Sequence, residues 1–405
     1  MKRGKIKSMK RYLNLLTFKN KKILSILFIV IFLFSSLVSG VAHCKEQEKN
    51  KQEPEVLAPS ALLVEKNSGK VLSEKNATEK RSCASITKVM TMLLVMEAID
   101  NGSLSETDTI VASEHASSMG GSDIWLEPGE SMTAGEMIKA VMVASANDAA
   151  VALAEHISGS EEAFVSKMNE RAKELGMNDT EFKNCNGLDE EGHLTTAYDI
   201  SLMVRELMKH KEIFKYSSIW IDYLRDGKTQ LVNTNKLLKS YQGITGLKTG
   251  TTNDAGCCIV ATAKRNNLNL ISIVLGDATS KDRFSDAAKL LDFGFANFVS
   301  LKPKLQSDAL EPLKVNNGVK KNVNLKVDFS KDIFIEKGKE KNITYSLELL
   351  NEVSAPIKEN DVIGKLIYKS GEEIVAEYDV KASENIEKIS FFIAFKSLLY
   401  GLIKV

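Results

Sequence analysis

The 405-residue sequence predicts an α+β fold: an antiparallel sheet flanked by a helical cluster, then a small all-β domain and a C-terminal amphipathic helix. Three observations carry this. Apolar runs on either side of Asn67-Ser68-Gly69, and again over 256–277, have the character of paired strands. Between them, 133–215 is dominated by apolar residues at helical spacing. Past about residue 300 the chain changes to short alternating runs such as "VNLKVDF" and "ITYSLEL".

Taken in order, residues 1–22 carry nine Lys or Arg and no acid, and 23–42 carry no charge. A basic stretch before an apolar one is a secretory signal, here assigned to 1–44, with an uncleaved anchor as the rival reading. Residues 45–55, "KEQEKNKQEPE", form a solvated tether. The first globular domain is expected over 56–300. It opens with the hairpin around Asn67-Ser68-Gly69, followed by a helix through "ITKVMTMLLVMEAID" ended by Asn101-Gly102. Thr133 and Glu136 form a capping-box pair before "AGEMIKAVMV". "NDAAVALAEHI", "SEEAFVSKMNERAKELG" and "TAYDISLMVRELMKHKEIF" continue the helical cluster. "GITGLKTGTT" and "GCCIVATAKRNNLNLISIVLGD" return to strand, with Arg265-Asn266-Asn267 as a turn, and "RFSDAAKLLDFGFANF" is a final helix. The first hairpin and these last strands are expected to share one sheet. A small β domain fills 301–382, and 383–405 is an amphipathic tail suited to a membrane surface, with a helix buried on the β domain as the alternative.

Net charge is +1, so no global field points to nucleic acid. The five cysteines, Cys44, Cys83, Cys185, Cys257 and Cys258, include no CxxC pair and no zinc spacing, so neither a metal nor a cofactor is called for.

The chemistry concentrates in three short elements. Ser85-Ile-Thr-Lys88 is the sole S-x-x-K in the chain. Residues three apart share a helix face, so a lysine stripped of its proton can serve the serine hydroxyl as base. Burial or a positive neighbour must lower its pKa. Alone, the tetrapeptide is equally an ordinary helix start. Ser145-Ala-Asn147 falls between two helical patterns, where a hydroxyl and an amide can relay a proton and hold a carbonyl. Helix capping is the plain alternative for Ser145. Lys248-Thr249-Gly250 lies in a strand, where glycine admits close approach of a ligand backbone.

The ordered set S-x-x-K, S-x-N, K-T-G is shared by β-lactamases and penicillin-binding proteins. The chain resembles the low-molecular-weight penicillin-binding proteins, the serine D-alanyl-D-alanine carboxypeptidases, over nearly everything after the signal. The resemblance implies a β-lactamase/transpeptidase-like peptidase domain with Ser85 as acylated nucleophile, Lys88 as base, and Ser145 and Asn147 completing the proton network. It implies that Lys248 and Thr249 bind the terminal carboxylate beside Gly250, and that the backbone N–H groups of Ser85 and Thr251 form the oxyanion hole. Arg283 matches a carboxylate-binding arginine, and "NGLDEEGHLTTAYDI" matches a stretch near the cleft, with His193 structural. Many relatives carry His after K-T-G, where this chain has Thr251. The implied substrate is a peptidoglycan stem peptide ending in D-Ala-D-Ala, with β-lactams as covalent inhibitors, acting outside the cytoplasmic membrane. A β-lactamase and a non-catalytic wall-binding or penicillin-sensing protein are the alternatives. No glutamate matching the class A deacylation residue is apparent.

Overall fold

The computed structural model describes residues 53–306, 309–393 and 395–396. The expected signal segment, most of the tether and the end of the tail lie outside the described residues. Five strands form the central sheet: β1 (Ser60–Glu65), β2 (Val71–Lys75), β3 (Ile244–Thr252), β4 (Gly256–Arg265) and β5 (Leu268–Asp277). Their order is β2-β1-β5-β4-β3, every neighbouring pair antiparallel. The first hairpin thus joins the last strands, as the sequence pattern predicts.

Side chains alternate across a strand, and both faces of this sheet are covered. On β1, Leu62 and Val64 point into one core and Ala61 and Leu63 into another. On β5, Ile271, Ile273 and Leu275 join the first while Leu270 and Val274 join the second. Two-sided burial explains why these strands are nearly continuous apolar runs. The first core is built with helices α1 (Lys88–Asp100), α2 (Ala134–Val143), α3 (Asn147–Ser158), α4 (Glu161–Glu174) and α5 (Ala197–Leu207). The second is closed by α6 (Ser280–Asn297) through Ala287, Leu290 and Leu291. The capping box on α2 forms as expected, Thr133 accepting from Glu136 N and Glu136 accepting from Thr133 N.

Helix α1 is buried on nearly every side, from Lys88 to Ala98. Its start differs from expectation. A 3₁₀ turn, Ala84–Thr87, precedes it, so Ser85 sits in that turn and Lys88 is the first α-helical residue. The reason is local: Ala84 adopts φ +51°, and the Thr87 hydroxyl donates to Ala84 O at 2.9 Å. Two short antiparallel pairs, Thr109–Val111 with Ser131–Thr133 and Ile221–Leu224 with Thr229–Val232, add to the expected elements.

Beyond α6 the chain is all β. Phe298–Leu301 pairs with Ile333–Glu336, and a four-stranded sheet contains the hairpin Val362–Ser370 with Glu373–Ala382. Near its end the chain is helical at 391–393 and 395–396, with Phe391 and Phe392 exposed. Among the described residues no helix is long and apolar enough to cross a membrane.

Candidate active site

The three sequence elements meet at one end of β3. The turn at 84–87 lies against β3, and Gly250 is what lets it. A Cβ there would stand 2.7 Å from Cys83 O and 3.0 Å from Ser85 N. From the other side comes Gly187, at φ +84°, where a Cβ would fall 2.0 Å from Ala84 O. The serine turn is therefore held between two glycine backbones.

Lys88 is fully buried and its amine faces three oxygens: Ser85 Oγ at 3.1 Å, Asn147 Oδ1 at 2.5 Å and Asn186 O at 2.6 Å. Burial, opposed by the more distant carboxylates of Asp123 and Asp148, lowers its pKa to about 7. The amide oxygen and the carbonyl can only accept. In the neutral amine they take both N–H groups, and the lone pair is left for the Ser85 hydroxyl.

Asn147 opens α3. Its Nδ2 donates to Gly120 O at 2.6 Å and its backbone N–H to Ser122 O at 2.6 Å. Those bonds pin the 118–126 loop to the start of the helix. The next residue, Asp148, extends the clamp by accepting from the backbone N–H groups of Ile124 and Leu126. Ser145 is at φ +66°, and α3 is capped by Ala146 without a side-chain bond, so Ser145 is not a helix cap. Its Oγ instead accepts from Lys248 Nζ at 2.8 Å. Lys248 is buried, also donates to Thr249 O at 2.9 Å, and has its pKa held well below the ordinary lysine value by burial and then by Lys88 and Arg283. Thr249 donates to Thr234 Oγ1 at 2.6 Å.

Arg283 is brought to the same strand, but behind it. Its Nη1 donates to Thr251 Oγ1 at 2.7 Å and Gly250 O at 2.9 Å, and its Nη2 to Ser280 Oγ at 3.1 Å. Its Nε has no hydrogen-bond partner among the described residues.

Sequence reasoning missed two contributors. Asn186 acts through its carbonyl, which no side-chain motif announces. Its signal is the following Gly187, which fixes the loop. Thr87 is the other. Lys183 N donates to His193 Nδ1 at 3.2 Å, so that nitrogen carries no proton. The opposite nitrogen, Nε2, then donates to Thr87 Oγ1 at 2.8 Å, and Thr87 in turn donates to Ala84 O. His193 is a buried neutral ring, its pKa lowered to about 4 chiefly by burial. Among the described residues no group of three or more His, Cys, Asp or Glu is placed to hold a metal ion.

A buried lysine aimed at a serine in a turn packed against an edge strand, with a second Ser–Lys pair beside it, defines the class of active-site serine enzymes that form acyl intermediates. Comparison with known proteins narrows the class. The D-alanyl-D-alanine carboxypeptidase family matches residues 47–279, and the penicillin-binding protein 5 C-terminal domain matches 298–388. The chain is 43% identical to D-alanyl-D-alanine carboxypeptidase DacF of Bacillus subtilis over 380 residues, 93% of this chain and 97% of that relative. It is 33% identical to DacC of Escherichia coli, covering 85% of this chain and 88% of that one. Among solved structures, penicillin-binding protein 5 from Haemophilus influenzae superposes with a TM-score of 0.72 at 32% identity, covering 83% of this chain and 99% of the other. Penicillin-binding protein D2 from Listeria monocytogenes, in its ampicillin-bound form, gives 0.55 at 34% identity over 59% of this chain and 98% of the other. The chain belongs to the D-alanyl-D-alanine carboxypeptidase family of serine peptidases, and it is a carboxypeptidase of the penicillin-binding protein type, not a β-lactamase.

Proposed function

We propose that Ser85 is the acylated nucleophile, Lys88 its base, and Ser145, Asn147 and Lys248 the rest of the proton and positioning network. One observation carries this: the buried Lys88 Nζ faces Ser85 Oγ, Asn147 Oδ1 and Asn186 O, so that once neutral it gives both N–H groups to Asn147 and Asn186 and keeps its lone pair for Ser85. Lys88 takes the hydroxyl proton. Ser85 Oγ attacks the carbonyl between two D-alanines of a peptidoglycan stem pentapeptide. The N–H groups of Ser85 and Thr251 hold the oxyanion. Ser145, whose oxygen already accepts from Lys248, is free to donate its own proton to the leaving amine. D-Alanine departs, and water hydrolyses the ester. A β-lactam acylates the same serine and leaves slowly.

Lys248 and Thr249 hold the substrate carboxylate, beside Gly250. Arg283 adds its positive field beside it, with Nη1 committed to Thr251 Oγ1 and Gly250 O and Nε without a partner among the described residues. The test is D-alanine release from a tripeptide ending in D-Ala-D-Ala, with intact mass after penicillin treatment. We expect one adduct on Ser85 and none in Ser85→Ala. Absence of both adduct and D-alanine in the unaltered chain would sink these assignments.

We further propose that 1–44 exports the chain, that 56–300 is the peptidase unit and 301–382 the β domain, and that 383–405 holds the enzyme to the outer face of the membrane. The exposed Phe391, Phe392 and Phe395 support the last point. Deleting 386–405 should move the enzyme from the membrane to the soluble fraction, and continued membrane retention would favour the N-terminal segment as the anchor.

A further inference from the structure

At the end of the sheet away from Ser85, a cavity of about 500 Å³ opens between the peptidase unit and the β domain. Lys66, Arg205, Lys209 and Lys331 line it, against two acids, Glu206 and Asp332. Lys209 bonds Glu206 at 2.5 Å, and the Arg205 guanidinium gives Nε to the carbonyl of Lys66 and Nη2 to that of Asn67. Lys66 is half-buried. Among the described residues neither Lys66 nor Lys331 has a carboxylate partner, and the same is true of Lys211 and Lys264. Burial lowers the pKa of Lys66, and the ammonium groups of Lys264, Lys211 and Lys209 lower it further, against Glu65. Among the described residues Asp332 and the buried Glu65 likewise lack a cationic partner, so four unpaired lysines stand against two unpaired acids, a local excess of positive charge in a chain whose net charge is only +1.

We propose that this interdomain cleft binds an extended, phosphate-bearing polyanion. The chemistry follows from which donors are free. The one forked donor, Arg205, has two of its three nitrogens committed to backbone carbonyls, and most of the free donors are lysine ammonium groups. These act as point charges on flexible stems, suited to a permanently charged phosphodiester and imposing no planar geometry. The ligand is a chain rather than a single anion because Lys211 and Lys264 carry the positive field past the cavity itself. A lipid surface does not fit. The strand Glu373–Ala382 begins beside the cleft, where Glu373 pairs with Lys70 at 3.2 Å. It ends where the chain leaves for the tail, about 30 Å away at ~3.4 Å per residue. The site is also separate from the chemistry. Lys264 lies four to six positions along β4 from the partners of Lys248, Thr249 and Gly250, about 14–20 Å at the same rise.

The experiment uses the full chain in detergent and fluorescent short-chain polyphosphate as the probe, read by anisotropy. Binding should be tight at low salt, weaken steadily as salt rises, and resist competition by orthophosphate at equal phosphate concentration. The double variant Lys66→Gln/Lys331→Gln should bind at least about tenfold more weakly, through loss of two cationic contacts. A control pair of equal charge loss on α4, Lys167→Gln/Lys173→Gln, should bind as the unaltered chain does. D-Alanine release from a short tripeptide should be the same in all three. No binding at low salt, or equal losses in the cleft and control pairs, would overturn the site. Equal binding of polyglutamate would overturn the choice of phosphate, and stronger binding to phosphatidylglycerol vesicles than to the polymer would overturn the choice of a chain over a lipid surface.

Discussion

At the scale of single residues, Lys88 sets the pH behaviour. A base must be neutral, and burial places its pKa at about 7. Acylation of Ser85 by a chromogenic β-lactam should therefore fall about tenfold per pH unit below 7 and level off above it. A rate that does not change across that range would remove Lys88 as the base. The stability effect has its own sign. The folded pKa lies below the unfolded value of about 10.4, so between about 7 and 10.4 the unfolded chain binds the extra proton, and this group alone raises stability as pH rises. His193 gives a second prediction. His193→Leu leaves the Thr87 hydroxyl without its donor and the Lys183 N–H without its acceptor, a loss of about 1–3 kcal/mol for each buried group stranded. His193→Gln keeps one donor and one acceptor and should restore both melting temperature and acylation rate. If Leu and Gln acylate alike, the ring does not position the serine turn.

At the scale of elements, the serine turn depends on β3 and on the loop after Asn184. Gly250→Ala should cut acylation by about 10²-fold, since a Cβ 2.7 Å from Cys83 O and 3.0 Å from Ser85 N displaces the nucleophile. Gly187→Ala should also destabilise the fold by about 2–4 kcal/mol, because it adds a clash at 2.0 Å to a left-handed backbone. Thermal melting beside acylation kinetics separates the two effects. The same contrast explains what is legible in the sequence. The strands, the helical cluster and the three motifs follow from periodicity and spacing, which are local. The 3₁₀ turn at 84–87 reads in the sequence as the first turn of α1, because what bends it, Thr87 with His193 on one side and Gly250 on the other, is distant along the chain. Asn186 is invisible for a different reason, since a backbone carbonyl has no letter of its own. Arg283 does reach the strand the resemblance implies, where Nη1 bonds Thr251 and the Gly250 carbonyl while Nε has no partner among the described residues.

At the scale of the molecule, the β domain is packed into the peptidase unit through aromatic rings. Phe334, on the strand Ile333–Glu336, stacks on Phe298 with centroids 5.2 Å apart and belongs to the core beneath the sheet. Phe334→Ala should cost about 3–5 kcal/mol in unfolding measured by denaturant, a buried aromatic's worth. A loss below about 1 kcal/mol would mean that the two parts fold without reference to each other.

The border of the sheet governs what the enzyme can be offered. β3 is a terminal strand, so one of its edges is not paired within the sheet. Such an edge invites pairing with any extended chain, including another copy of the same protein. Here it is crowded by the 84–87 turn and by the short helices Ile213–Ser217 and Leu237–Ser240. Neighbours packed beside the strand leave less of its edge open to a second sheet, so the elements that hold the serine turn also guard against clumping.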